Sequence, residues 1–90
     1  MLKSLENIVL LARKRKFNPV ENSYTNKLLT DKLLSKAKVI EEIYELIEAV
    51  EKNSNKIHEA ADVFYHLLIY LEANDVKIEE VMSELDKRKK

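Results

Sequence analysis

The chain has no cysteine, no glycine and no tryptophan, and its single proline is Pro19. Without cysteine there is no disulfide and no thiolate metal centre. Without glycine, and with no Asn-Gly or Asp-Gly pair, the tight turns of β-hairpins have no natural residue. Neither charge dominates, since 16 Lys and Arg face 16 Asp and Glu. A general nucleic-acid binder is expected to be basic, so no nucleic-acid partner is expected. Long apolar runs are missing too. The run Ile8–Ala12 near the start is short, and its basic neighbours follow it, unlike a secretory leader. Nothing approaches the roughly 20 apolar residues of a membrane span. The expectation is a cytoplasmic protein with no membrane partner.

What remains is rich in Lys, Glu, Leu and Ala, all good helix formers. The 90 residues suit one domain, 1–90, of all-α class: an antiparallel bundle of four to five helices. A chain this short buries only about 60–65 % of its unfolded surface, so tight helix packing or a second copy must supply stability. Helical spacing is seen from about Leu2 to Lys16, and Pro19 with Asn22 and Ser23 marks a loop over 17–25. A second helix starts near Thr25 or near Thr30, where Thr30-Asp31 suits an N-cap, and runs to about Lys52. Asn53-Ser54-Asn55 stops it and can cap a third helix over 56–74, which Asn74-Asp75 ends with Asn74 in the left-handed position. A fourth helix over 77–88 ends in the basic stretch Lys87–Lys90, suited to a helix C-terminus.

The acids carry the chemistry. On the second helix an apolar stripe of Leu33, Ala37, Ile40, Tyr44 and Ile47 leaves Glu41, Glu45 and Glu48 on the opposite arc, with Glu42 at its far edge. Alone, that is a solvated face. The third helix changes the balance, because its apolar arc is wide and Glu59, Asp62 and His66 share one narrow stripe within it. A buried carboxylate needs a cation, a base or a metal. If the two helices are antiparallel neighbours, Glu42 and Glu45 face Glu59 and Asp62 across one groove. Mutual repulsion there is relieved by divalent cations, and an all-oxygen donor set suits Mg2+, Mn2+ or Ca2+. Mg2+ typically shares its shell with substrate phosphates, so the constellation fits hydrolysis of a phosphoanhydride.

These residues are also similar to a known pattern. EEIYE (41–45), thirteen further residues, then EAAD (59–62) resemble the signature of the all-α, MazG-like nucleotide pyrophosphohydrolases. NPVENSYTNKLL, KVIEEIYEL, HEAADVFYHLLIYL and IEEVMSELDKR together resemble the phosphoribosyl-ATP pyrophosphohydrolases of histidine biosynthesis over about 17–88. The resemblance implies Mg2+-dependent cleavage (Mn2+ as substitute) of the α–β bond of phosphoribosyl-ATP, giving phosphoribosyl-AMP and pyrophosphate, by an intertwined homodimer. It implies Glu42, Glu45, Glu59 and Asp62 as metal ligands and Glu41 with Glu42 as catalytic acids. Ser23, Tyr24, Thr25 and Lys38 fall at positions near the substrate. Ile40 departs from the family, which usually has glycine there. The chain leaves no room for the cyclohydrolase domain that some relatives carry, so the next pathway step is expected on another chain. Two other readings differ in substrate or class: a pyrophosphohydrolase of other (d)NTPs, or a helical dimerisation module without activity. The Ser-Tyr-Thr segment favours phosphoribosyl-ATP, and the full set of five acids speaks against a purely structural module.

Among the remaining polar groups, His66 is expected to pack or hold an acid in place rather than bind metal, and His58 to be exposed. Tyr65 and Tyr70 are expected in the core, and Tyr24 is the better candidate for stacking on a base. Lys27, Lys36 and Lys38 could meet phosphates, though any one of them is expected to be solvated. Arg13–Lys16 reads as a basic rim for an anionic substrate or simply as a charged helix end.

Overall fold

A computed structural model describes residues 1–89. Five helices follow one another: α1 (Lys3–Phe17), α2 (Tyr24–Thr30), α3 (Lys32–Lys52), α4 (Lys56–Ala73) and α5 (Ile78–Lys87). Among the described residues there is no strand, so the all-α class holds. Lys90, at the end of the basic stretch, lies outside the described residues.

Both candidate starts of the second helix are used. Ser23 caps α2 by accepting from the Asn26 N–H, and Asp31 caps α3 by accepting from the Leu34 N–H at 3.0 Å. The stretch 17–25 is therefore shorter as a loop than its composition suggests, because α2 forms one short helix before the chain turns into α3. In the next connection Asn53 takes the left-handed conformation (φ 52°) that stops α3, while Asn55 is also left-handed and makes no side-chain cap to α4. At the end of α4 the left-handed residue is Asp75 (φ 57°), not Asn74, whose side-chain amide instead donates to the Tyr70 carbonyl. With no glycine, Asn and Asp supply every positive-φ position among the described residues.

The core is small. Ala12 of α1, Leu28 and Leu29 of α2, and Ile69 and Ala73 of α4 bury one another, with Ile8, Leu34 and Tyr65 packed around them. Helix α4 is the hub, touching each of the other four, and α3 and α4 form an extensive hairpin.

The α3 face turned to α4 is not its apolar stripe. Its buried residues are Ser35, Glu42 and Ala49, seven apart, with Val39 and Leu46 half-buried between them. Leu33 (81 % exposed), Ile40, Tyr44 (69 % exposed) and Ile47 look outward. Two of the three buried positions, Ser35 and Ala49, carry small side chains, which suits close approach of two helices. Glu42 thus moves from the edge of a solvated arc to the inside, at 8 % exposure. The wide apolar arc of α4 is likewise only partly used, leaving Ile57 and Phe64 exposed.

Candidate metal centre and nucleotide cleft

The hairpin sets the register of the acids. Going down α3 from Glu42 to Glu45 matches going up α4 from Glu59 to Asp62, as antiparallel neighbours require. One carboxylate oxygen each from Glu42, Glu45 and Glu59 falls within 4.8 Å of the others. A second group within the same limit combines His58, Glu59 and Asp62. The two groups share Glu59. The structure therefore brings Glu42 and Glu45 together with Glu59, and joins Asp62 to them through Glu59 and His58. His58 Nε2 is 3.4 Å from Asp62 Oδ2, an association that spacing in sequence alone did not single out.

No lysine or arginine among the described residues pairs with Glu42, Glu45, Glu59 or Asp62. Glu42 Oε2 and Glu59 Oε2 are both shielded from solvent and have no hydrogen-bond partner. Burial raises the Glu42 carboxyl above the ordinary range, helped by the neighbouring Glu45 and by Asp62. Burial also raises Glu59, with the charge of Glu45 adding to it and His58 acting the other way. These are the signs of carboxylates gathered against their own repulsion. Glu59 lies in the first turn of α4, where the positive end of the helix eases that repulsion slightly. An all-oxygen donor set with two orphaned oxygens fits a hard divalent cation. Glu42, Glu45 and Glu59 would hold it, with Asp62 and His58 at an adjoining position.

The other expected site residues are distributed around this centre. Glu41 is exposed and accepts from Lys38 Nζ at 3.3 Å. Tyr24 is partly open (45 % exposed), and its hydroxyl meets His66 Nε2 at 2.9 Å. Burial holds its phenol above the ordinary range, while the charge of Lys38 works against that shift. Next to Tyr24 lies a shallow depression of about 510 Å³, walled by Pro19, Val20, Asn22, Asn26 and Lys27. Ser23 is tied up locally, with Oγ accepting from Arg15 at 2.6 Å and from the Asn26 N–H. Thr25 is buried, and its hydroxyl is 2.5 Å from that of Tyr65. The Thr25 side chain therefore braces α2 on α4. Ile40 lies on the outward stripe with Tyr44 and is partly exposed.

Three of the four residues of the basic segment Arg13–Lys16 are engaged by other side chains, and Lys14 is exposed. Arg13 grips Glu72 (3.1 Å) and both oxygens of Glu79, Lys16 reaches Asp75 and the Glu72 carbonyl, and Arg15 holds Ser23. The partners of Arg13 and Lys16 lie at the C-terminal end of α4, in the turn after it and on α5, several turns from Asp62, whereas Ser23 caps α2 beside Tyr24.

A family profile described as phosphoribosyl-ATP pyrophosphohydrolase matches residues 5–89. The chain belongs to this family. It is 44 % identical over 93 residues to the histidine biosynthesis bifunctional protein of Pyrococcus furiosus, covering all of this chain but 42 % of that protein. It is 43 % identical to the phosphoribosyl-ATP pyrophosphatase of Clostridium novyi, covering 100 % of this chain and 82 % of that protein. A phosphoribosyl-ATP pyrophosphatase of Methanocella arvoryzae is 36 % identical, with 96 % of each chain covered. The chain thus spans less than half the length of the bifunctional relative and most or nearly all of the single-function ones. Members of the phosphoribosyl-ATP pyrophosphohydrolase family are hydrolytic enzymes, and the cluster of acids lies well inside the matched segment.

Proposed function

We propose that this chain is a Mg2+-dependent phosphoribosyl-ATP pyrophosphohydrolase of histidine biosynthesis, working in the cytoplasm. It would cleave the α–β phosphoanhydride to give phosphoribosyl-AMP and pyrophosphate. The observation that carries the reading is the meeting of Glu42, Glu45 and Glu59 with two shielded, partnerless oxygens and no lysine or arginine ion-paired to them among the described residues. The relatives' names supply the nucleotide.

When bound, the divalent cation offsets phosphate charge and makes the attacking water a stronger nucleophile. Glu42, Glu45 and Glu59 would hold it, with Asp62 at the adjoining position. Glu41, exposed and next to Glu42, would take a proton from the attacking water, and Lys38 donates to its carboxylate. The Tyr24 ring, beside the depression walled by Pro19 and Val20, offers a face on which a base can lie.

A homodimer belongs to the same proposal. Ile40, Ile43, Tyr44, Ile47 and Val50 of α3 and Ile57 and Phe64 of α4 leave an apolar surface on the outer side of the hairpin. A surface of that extent on so small a chain calls for a partner, and a second copy would cover it.

Purified protein supplied with phosphoribosyl-ATP and Mg2+ should release pyrophosphate and stop when EDTA is added. Faster turnover of ordinary dNTPs would move the assignment to another nucleotide. Failure to rescue a histidine-requiring strain that lacks this enzyme, together with no hydrolysis of any nucleotide, would leave the acids without a catalytic role. Sedimentation should give a dimer, and Tyr44→Glu with Ile47→Lys should give monomers.

A further inference from the structure

His66 is the most enclosed polar ring of the molecule, at 7 % exposure. Its Nδ1 lies 2.8 Å from the backbone oxygen of Asp62, and its Nε2 lies 2.9 Å from the Tyr24 hydroxyl. Both tyrosines meet the imidazole at steep angles, Tyr24 at 74° and Tyr65 at 90°, so the ring has little room to turn over. A carbonyl oxygen can only accept, so Nδ1 carries the proton. In the uncharged ring Nε2 is left with a lone pair, and the Tyr24 O–H donates to it.

The consequence falls on Tyr24. Its only proton is spent inward, on a buried ring. The oxygen's remaining capacity, on the open side, is to accept. The charge of the Lys38 ammonium favours an electron-rich phenol oxygen, which also suits an acceptor. Phosphate oxygens at neutral pH carry no proton to give, so they and the Tyr24 oxygen would meet lone pair to lone pair.

We propose that His66 is a positioning residue that makes the Tyr24 hydroxyl an acceptor towards the cleft, so that Tyr24 recognises a hydrogen-bond donor of the nucleotide and not its phosphates. The donor is a sugar hydroxyl or the exocyclic amine of the base. His66 further ties α2, which carries Tyr24, to the turn of α4 that carries Asp62, so the group that reads the nucleoside and a carboxylate of the metal centre keep a constant spacing. The identity of the ligand rests on the nucleotide reading above, whereas the protonation pattern of His66 does not.

The test has two arms. In the first, protein labelled with 15N at histidine is examined by long-range 1H–15N spectra at neutral pH without nucleotide. Nδ1 of His66 should be protonated and Nε2 bare, and Tyr24→Phe should move the Nε2 signal. A proton on Nε2 would overturn the proposal whatever the enzyme's activity. In the second arm, affinities for a nucleoside triphosphate and for inorganic pyrophosphate are measured with Mg2+. Tyr24→Phe should weaken the nucleotide by about tenfold, the size of one lost hydrogen bond, and leave pyrophosphate unchanged. An equal loss for both ligands would mean that Tyr24 holds phosphate, and the proposal would fail. A 2′- or 3′-deoxy nucleotide and one lacking the exocyclic amine distinguish the two donors. The analogue without the true donor should bind wild type about tenfold more weakly and Tyr24→Phe no more weakly than the parent does. If neither analogue behaves so, Tyr24 reads no donor. If wild type binds no nucleotide, the nucleotide reading falls while the first arm still decides the state of His66.

Discussion

Helix α4 carries acids near both ends, and the molecule treats them in opposite ways. At the C-terminal end Glu72 is 5 % exposed and met by two cations, Arg13 and Lys16, while Arg13 also clasps Glu79 on α5. The Arg13 guanidinium holds the Glu79 carboxyl down to about 2 and is itself raised, chiefly by that hydrogen bond. At the N-terminal end Glu59 meets Glu42 and Glu45, and the carboxyls of Glu42 and Glu59 move up instead of down. The chain has cations enough to pair both ends, but its tertiary structure sends them to one. A buried acid that already has its cation is structural. One that is gathered with other acids and left without is arranged for a charge supplied from outside.

That contrast can be broken most sharply at Glu59. Glu59→Gln should lower turnover about 10²–10³-fold, as loss of one charge-stabilising group does. The metal-free protein should become more stable by calorimetry, because one repelling charge is gone. A fall in stability would show that Glu59 serves packing. Glu72→Ala should do the converse. Arg13 and Lys16 are partly exposed and keep Glu79 and Asp75, so the loss is that of hydrogen bonds to a charged group, about 1.5–3 kcal/mol, and Tm should drop by roughly 6–24 °C, with turnover per folded molecule kept.

Acidity separates the two ends next. A carboxyl raised on folding binds its proton more tightly in the folded state. Its contribution to stability grows as pH falls through the raised value and is lost as pH rises through it. Glu42 and Glu59 should therefore make the metal-free protein less stable at neutral pH than in mild acid, and Mg2+ should remove that difference in a Tm series. The depressed Glu79 acts oppositely, contributing above about 4.5 and losing its contribution as pH falls toward about 2. A metal-free Tm that climbs steadily from mild acid to neutrality would contradict the account of the acid cluster. The smallest effect is expected from Glu79→Gln. Its side chain is largely exposed and screened by water, so denaturant unfolding should show almost no change.

Much of this was legible in one dimension. The missing glycine and the helix-forming composition gave the class, and Asp31 and Asn53 marked helix ends that the structure uses. The spacing of the acids on two successive helical segments was enough to expect them across one groove, and the hairpin brings Glu42 and Glu45 to Glu59. The facing of α3 was not legible. Periodicity identifies an apolar stripe but not what covers it, and here Tyr44 and Ile47 look out while Ser35, Glu42 and Ala49 look in. Nor could sequence show that Arg13 and Lys16 are engaged by Glu72 and Asp75, since those pairs span more than fifty residues.

The amino-acid order by itself determined local matters: which segments are helical, where they stop, and which residue types lie one helical turn apart. Those follow from backbone sterics, capping and propensity, which act over a few residues. Only the tertiary structure decided which face of α3 turns inward, which acids receive a cation, and which atom of His66 meets Tyr24. Each of these depends on how closely one helix approaches another, and that is settled by packing across the whole chain.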